Sequence, residues 1–128
     1  MGKYSALKSL WGYEHFRPGQ EELIDGILAG RDVVGILPTG AGKSLCYQIP
    51  AVLSGGTTLV VSPLISLMSD QVASLIQSGV KAAYLNSSLT ERQYREALKR
   101  LSGGAYKIVY IAPERLASYL LEQQRKQG

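Results

Sequence analysis

The sequence predicts an α/β fold in which a parallel sheet is flanked by crossover helices. Four short β-type runs alternate along the chain with segments of helical periodicity. This alternation is typical of parallel sheets, because two parallel strands need a long crossover connection, usually a helix. The predicted strands are Asp32–Pro38, Thr57–Ser62, Val80–Leu85 and Lys107–Ala112.

Two helices are predicted before the first strand. The first covers Tyr4–Trp11 and ends at Gly12, and the second begins at Pro18 and ends at Gly30. Proline is favoured in the first turn of a helix and glycine just after its last turn. The apolar face predicted for the second helix consists of Leu23, Ile24, Ile27 and Leu28.

The remaining helices lie between or after the strands. Lys43–Leu53 is predicted helical, and Pro50 inside it is expected to shorten or kink it. Leu64–Ser78 follows Ser62 and Pro63, which we interpret as its cap and first residue. Its predicted apolar face comprises Leu64, Met68, Val72, Leu75 and Ile76.

A capping box predicts the start of the next helix, Thr90–Leu101. Thr90 is followed three residues later by Gln93, so each side chain can bond the other residue's backbone N–H. Tyr94, Ala97 and other apolar residues at helical spacing then define one buried face.

A glycine loop after the first apolar run predicts a nucleotide-phosphate site. Gly40 and Gly42 let the backbone approach phosphate oxygens, and the following helix directs its positive end at the same anion. Lys43 is expected on the β and γ phosphates, and the Ser44 hydroxyl on Mg²⁺. Leu37 stands where the strict P-loop pattern has glycine, so a glycine-rich turn with a solvated Lys43 remains the alternative.

Composition fits one intracellular domain. The chain has 128 residues, 45% of them hydrophobic, and a net charge of +4 that suits a polyanionic partner without establishing one. Cys46 is expected to be a buried thiol and His15 a loop residue. No apolar stretch is long enough to span a membrane, which predicts a soluble, intracellular protein.

Hydrolysis of a bound nucleotide also needs carboxylates that hold Mg²⁺ and activate water. No Asp-Glu pair follows Ser44, and Glu114 is the only acidic residue at the end of a predicted strand. The sequence therefore predicts phosphate binding more strongly than hydrolysis.

Several motifs in order resemble RecQ-type DNA helicases of superfamily 2, and together they cover nearly the whole chain. The segments that carry this resemblance are Leu10–Tyr13, Phe16–Gln20, Leu37–Ser44, Val60–Gln71 and Tyr110–Leu116. The resemblance implies a RecA-like parallel sheet, ATP and Mg²⁺ as cofactors, and single-stranded and partly duplex DNA as partners.

The resemblance also implies roles for individual residues. Gln20 would pair with the adenine edge and favour ATP over GTP, with Tyr13 and Arg17 supporting the same pocket. The alternative for Gln20 is an exposed residue in the first helical turn. The phosphate cradle would be Thr39, Gly40, Ala41, Gly42, Lys43 and Ser44, and the last two would be the residues most directly involved in catalysis.

On the DNA side, the resemblance implies a strip of phosphate-binding residues at Ser62, Pro63, Leu64 and Gln71. Arg115 would bind a further phosphate, with Glu114 orienting its guanidinium. Without the resemblance, Ser62 and Pro63 would be interpreted as a helix cap and Arg115 as a surface cation.

Departures from the RecQ pattern limit what this chain is expected to do. Ala41 replaces a common glycine, and the family's Asp-Glu-x-His motif, its second RecA-like domain and its later modules have no counterpart. We interpret residues 1–128 as the N-terminal part of a truncated first helicase domain. Residues 1–31 would form a helical adenine-recognition segment, and residues 32–128 a P-loop α/β portion that needs the missing remainder of the core.

The expected function is therefore 3′ to 5′ DNA unwinding coupled to ATP hydrolysis in a longer parent. The isolated chain is expected to bind ATP and DNA weakly, to be marginally stable, and to lack hydrolysis and unwinding. Two alternatives are a non-enzymatic nucleotide- or nucleic-acid-binding regulatory protein and a small P-loop kinase. The adenine-type element before the loop disfavours the kinase.

Overall fold

The computed structural model describes residues 2–31, 43–63 and 65–127. For residues 126 and 127 it describes the backbone alone. The chain divides into two compact units, Met1–Gly56 and Thr57–Gly128. The predicted strand Asp32–Pro38, together with Thr39–Gly42 of the glycine loop, lies outside the described residues. The subdivision predicted after residue 31 stays a prediction.

The elements described in the first unit are helices. Helix α1 spans Lys3–Ala6 and continues as a π-helix over Leu7–Trp11, which ends at Gly12 with a left-handed φ of 75°. Helix α2 spans Gln20–Leu28, and helix α3 spans Leu45–Leu53. The helical character of the first segment is confirmed, but the wider π-helical turn is not something its apolar spacing indicates.

Two boundary predictions in this unit are wrong for local reasons. Helix α2 begins at Gln20 rather than at Pro18, because Gly19 has a left-handed φ of 87° that interrupts the helical path. Helix α3 begins at Leu45, after a turn at Lys43 and Ser44. Pro50 does not shorten α3, which continues through it to the predicted end.

The core of the first unit joins the helices described there. Its buried residues are Ala6, Leu7, Ile24, Leu45 and Ile49, and the side chains of Trp11, Phe16 and Leu53 pack against them. Leu28, predicted on the buried face of α2, is 42% exposed. Burial of this apolar surface is what offsets the poor intrinsic stability of such short helices.

The second unit is a three-stranded parallel sheet with helices. Its elements in order are β1 Thr58–Val61, α4 Ile65–Gln77, β2 Ala82–Leu85, α5 Glu91–Ser102, β3 Ile108–Ile111 and α6 Pro113–Gln127. Strand β3 is central, in the order β1-β3-β2. Three predicted strands are thereby confirmed, each somewhat shorter than predicted. Pro63 lies in a bend before α4, so its interpretation as the first helical residue is wrong.

Burial in this unit follows from the central position of β3. All four residues of β3 are buried, because strands flank it on both edges and helices cover the sheet. On α5, Tyr94 and Leu101 pack into the same cluster as Leu85 of β2. The predicted capping box is present, whereas Ile76, predicted on the buried face of α4, is 56% exposed.

Candidate functional site

Gln20 closes the turn that precedes α2. Its Oε1 accepts a hydrogen bond from the Arg17 N–H at 2.8 Å, and its own N–H donates to the Arg17 carbonyl at 3.1 Å. The residue is 1% exposed, so the alternative of an exposed first-turn glutamine is wrong. The first of these bonds fixes the direction of the side-chain amide, and the second holds the backbone of the turn.

A fixed glutamine amide suits recognition of a nucleobase edge. A side-chain amide carries two donor hydrogens and two acceptor lone pairs, and the Arg17 N–H uses one of those lone pairs. The arrangement holds the amide in one rotamer, which lowers the entropy cost of binding a planar partner. The adenine contact itself stays a prediction.

Tyr13 and Arg17 lie in the segment between the π-helix and α2. The Tyr13 N–H donates to the Leu7 carbonyl at 3.3 Å, while its side chain is 52% exposed. Arg17 is also exposed. An aromatic ring held by its backbone and open on one face is the kind of group on which a base stacks.

Salt bridges and an aromatic contact tie α1 to the start of α2. Lys3 Nζ lies 2.7 Å from Glu21 Oε2 and 2.6 Å from Asp25 Oδ1, and the Tyr4 hydroxyl donates to Glu21. The Lys3 ammonium and then the Tyr4 hydroxyl lower the pKa of the Glu21 carboxyl. Tyr4 also packs on Phe16, with ring centroids 5.6 Å apart. These contacts brace the helix that carries Gln20.

Lys43 and Ser44 form the turn that leads into α3. The Cys46 N–H donates to the Lys43 carbonyl at 3.1 Å, and the Gln48 N–H donates to the Ser44 carbonyl at 3.0 Å. Both carbonyls are therefore directed into the helix, and the positive end of the α3 dipole lies at these residues. Lys43 is exposed and Ser44 half-buried.

The donor types at this turn fit a phosphate and Mg²⁺. An exposed ammonium at a helix N-terminus suits an anion, and a serine hydroxyl is a usual oxygen ligand for magnesium. Thr39, Gly40, Ala41 and Gly42, which would complete the cradle, lie outside the described residues. Burial raises the pKa of the neighbouring Cys46 thiol, which keeps that thiol protonated and supports its predicted structural role.

The carboxyl ends of the three strands meet at one edge of the second unit. The Ser62 N–H, just after β1, donates to the Ile111 carbonyl at 3.1 Å, and the Ala112 N–H donates to the Leu85 carbonyl at 2.9 Å. Ligands of parallel α/β sheets usually bind beyond this edge. The fold thus places Ser62 and the start of α6 at the edge where a ligand is expected.

Gln71 lies on α4 and contacts the central strand. Its Oε1 accepts a long hydrogen bond of 3.5 Å from the hydroxyl of Tyr110, which is 2% exposed. This contact links a predicted DNA-binding residue to the core of the sheet. Leu64 lies outside the described residues.

Arg115, in the first turn of α6, lies over the ring of Tyr94 on α5. Its guanidinium carbon lies 4.3 Å from the centroid of the Tyr94 ring, and its N–H donates to the Ala112 carbonyl at 3.0 Å. The described residues contain no ion pair between Glu114 and Arg115. The prediction that Glu114 orients Arg115 is therefore wrong, and Tyr94 contacts the guanidinium instead.

Tyr94 and Asn86 are the residues that sequence reasoning missed at this edge. Tyr94 was predicted only as part of an apolar face, and burial raises the pKa of its hydroxyl, which has no hydrogen-bond partner in the described structure. Asn86 is 1% exposed, and its Oδ1 accepts from the Ser88 N–H at 2.8 Å. The available signals were a tyrosine on an aliphatic face and an asparagine directly after a strand.

Comparison with known proteins gives one family match. The model of the family described as "DEAD/DEAH box helicase" matches residues 17–127. Similar curated proteins are "ATP-dependent DNA helicase RecQ" of Haemophilus influenzae, 51% identical over 112 residues, and of Bacillus subtilis, 52% identical over 115 residues. These alignments cover 88% and 89% of the chain but 18% and 20% of the relatives. The chain thus spans about a fifth of their length.

A solved structure supports the fold class. The chain resembles "Crystal structure of hypothetical ATP-dependent RNA helicase from Sulfolobus tokodaii" with a TM-score of 0.75 and 24% identity, over 94% of this chain and 36% of the other. The predicted RecA-like α/β fold with a parallel sheet is therefore confirmed. Within the described residues, no helix is long and apolar enough to cross a membrane.

Proposed function

Because the chain belongs to the DEAD/DEAH box helicase family, we propose that it carries the ATP-binding segment and part of the DNA-binding surface of a 3′ to 5′ DNA helicase. The observation that most supports this proposal is Gln20, whose side-chain amide is held in one orientation by the hydrogen bond from the Arg17 N–H to its Oε1. Such a helicase acts where DNA lies, in the cytoplasm or the nucleoid.

ATP binding is assigned to groups of the first unit. Gln20 presents its amide to the adenine edge, Tyr13 offers a ring for stacking, and Arg17 lies beside them. Lys43 binds the β and γ phosphates at the N-terminus of α3, and the Ser44 hydroxyl is the proposed Mg²⁺ ligand. When bound, Mg²⁺ neutralises charge on the phosphate oxygens.

DNA binding is assigned to the strand ends of the second unit. Ser62, Pro63 and Leu64 precede Ile65 in the sequence, where α4 begins, Gln71 follows on that helix, and Arg115 lies in the first turn of α6. A hydroxyl, an amide and a guanidinium near helix starts offer hydrogen-bond donors to the phosphates of a single strand. Contacts to phosphates do not depend on the base sequence.

The ATP assignment is tested by titrating the 128-residue chain with a fluorescent ATP analogue in the presence of Mg²⁺. Lys43→Ala should weaken binding about tenfold or more, because a charge-assisted contact to phosphate is lost. Lys99→Ala, an exposed lysine on α5, is the matched control and should leave the affinity unchanged. Equal affinities of the two variants would refute the phosphate site.

Base selectivity gives a second measurement on Gln20. Gln20→Glu keeps an oxygen that can accept from the Arg17 N–H but removes the amide hydrogens that adenine N7 requires. We expect this variant to lose the preference for ATP over GTP, with the helical circular dichroism unchanged. A retained preference would contradict adenine recognition by Gln20.

Turnover distinguishes the helicase from a simple nucleotide binder. Since no Asp-Glu pair follows Ser44 in this sequence, we expect this chain to bind ATP without hydrolysing it. DNA-stimulated hydrolysis that Lys43→Ala abolishes would contradict this expectation. A native product of 128 residues would favour the non-enzymatic regulatory alternative, and a longer product the helicase.

A further inference from the structure

Tyr94 offers a flat, fixed surface to Arg115. The tyrosine is 7% exposed and packs in a cluster with Leu85, Leu101 and Val109, so its ring cannot turn away without opening the core. Arg115 is half-buried, and its guanidinium carbon lies 4.3 Å from the ring centroid. This distance is well within the range of a favourable cation–π contact.

A guanidinium that lies over an aromatic ring can still use its N–H donors for other partners. The N–H donors of arginine lie in the plane of the group, in a fork that matches a phosphate. In the described residues Arg115 takes part in none of the ion pairs, so no carboxylate competes for that fork. Its backbone is fixed as well, by the bond from its N–H to Ala112.

We propose that Tyr94 is a positioning residue, which holds the Arg115 guanidinium by a cation–π contact so that its N–H donors can bind a nucleic-acid phosphate. This inference rests on the proposed function, because it takes Arg115 as a DNA-binding residue. It adds that a buried side chain on α5, outside every motif of the sequence, sets the affinity of that contact. Preorganisation of this kind lowers the entropy cost of binding.

The ring, rather than the hydroxyl, is responsible for the positioning. The Tyr94 hydroxyl is buried without a hydrogen-bond partner in the described part of the chain, so it does not anchor Arg115. Phenylalanine at this position should therefore support stacking, whereas an aliphatic residue of similar bulk should not. The two substitutions separate the aromatic face from simple filling of the core.

The experiment measures binding of a fluorescein-labelled single-stranded oligonucleotide to the 128-residue chain by anisotropy at low salt. Tyr94→Leu should weaken binding about threefold, the loss expected for one cation–π contact. Tyr94→Phe should bind the oligonucleotide with wild-type affinity. Tyr119→Leu, a partly buried tyrosine that packs on the same cluster, is the matched control and should not change the affinity.

A double-mutant cycle separates positioning from a general loss of structure. In an Arg115→Ala background, Tyr94→Leu should have no further effect on DNA affinity. Arg115→Ala should also lower the slope of log affinity against log salt by about 0.7, the value for one phosphate contact of a single strand. The Arg115 Nε–H resonance gives an independent signature, because ring-current displacement should be present in wild type and Tyr94→Phe and absent in Tyr94→Leu.

The outcomes distinguish this inference from the function on which it rests. An unchanged DNA affinity for Arg115→Ala would overturn both the DNA role of Arg115 and the positioning by Tyr94. If Arg115→Ala weakens DNA binding, and Tyr94→Leu lowers the affinity equally in the wild-type and the Arg115→Ala background, only the positioning by Tyr94 is overturned. If Tyr94→Leu does not fold, Tyr94→Met supplies a long, flexible apolar side chain without a ring, and wild-type affinity in that variant would refute the proposal.

Discussion

Two buried tyrosines of the second unit differ in whether their hydroxyls are bonded. The Tyr94 hydroxyl has no hydrogen-bond partner in the described structure, whereas the Tyr110 hydroxyl donates to Gln71 Oε1 at 3.5 Å. The side chains are otherwise comparable, at 7% and 2% exposure. Replacing each by phenylalanine removes one oxygen and keeps the ring, so the pair isolates the worth of the hydrogen bond.

We expect the two substitutions to change stability in opposite directions. Tyr94→Phe removes a buried polar atom that is unsatisfied, which should raise the free energy of unfolding by about 1 kcal/mol. Tyr110→Phe removes a hydroxyl that donates a hydrogen bond, which should lower the free energy of unfolding by about 1 kcal/mol. The difference between the variants is then about 2 kcal/mol.

Thermal and urea denaturation followed by circular dichroism measure this difference. For a chain of this size, about 1 kcal/mol corresponds to roughly 4 °C in the midpoint. If Tyr94→Phe is destabilised as much as Tyr110→Phe, the Tyr94 hydroxyl has a partner in solution and the reasoning is refuted. Equal stabilisation of both variants would show instead that the Tyr110 bond to Gln71 contributes nothing.

The pH dependence gives a further check on Tyr94. Burial raises its pKa, the positive charge of Arg115 opposes that rise, and Glu122 and Glu91 add to it. Because the pKa is raised in the folded state, Tyr94 makes a contribution to folding stability that is present below the ordinary tyrosine pKa. That contribution is lost as the pH rises through the pKa of the folded state. Tyr94→Phe should therefore be less sensitive than wild type to alkaline unfolding.

Two further predictions concern helix starts. The hydrogen bond from Lys3 lowers the pKa of Glu21. The contribution of Glu21 to folding stability is therefore present above the ordinary glutamate pKa and is lost as the pH falls through the folded value. Acid titration by circular dichroism should show a loss of stability that Glu21→Gln removes and Glu22→Gln does not. Thr90→Ala should cost about 1 kcal/mol in urea unfolding, because its Oγ1 accepts from the Gln93 N–H at 3.1 Å, and a cost no larger than that of Gln93→Ala would contradict its role as the cap.

Local patterns explain the parts of the fold that sequence reasoning predicted correctly. The alternation of β-type and helical runs predicted the second unit, because parallel strands are short, apolar and separated by crossovers. The capping box at Thr90 was predicted because both of its bonds join residues three apart. The errors came where one backbone angle decided a boundary, as at Gly19.

The candidate site was only partly accessible to sequence reasoning. The helix-start position of Lys43 and Ser44 follows from the glycine loop, and the strand ends place Ser62 and Arg115 at one edge. The partner of Arg115 did not follow, because Tyr94 is 21 positions away in sequence and belongs to another helix. Adjacent Glu114 was the natural choice from sequence alone, yet the guanidinium lies over the Tyr94 ring.

The sequence by itself determined the class of fold, the order of its elements and the family to which the chain belongs. These depend on periodicity, glycine positions and motif spacing, which are properties of neighbouring residues. Only the tertiary structure decided that Gln20 is buried and bonded to Arg17, and that Tyr94 carries the Arg115 guanidinium. Such contacts depend on how separate elements pack, and packing is set by the whole core rather than by any local pattern.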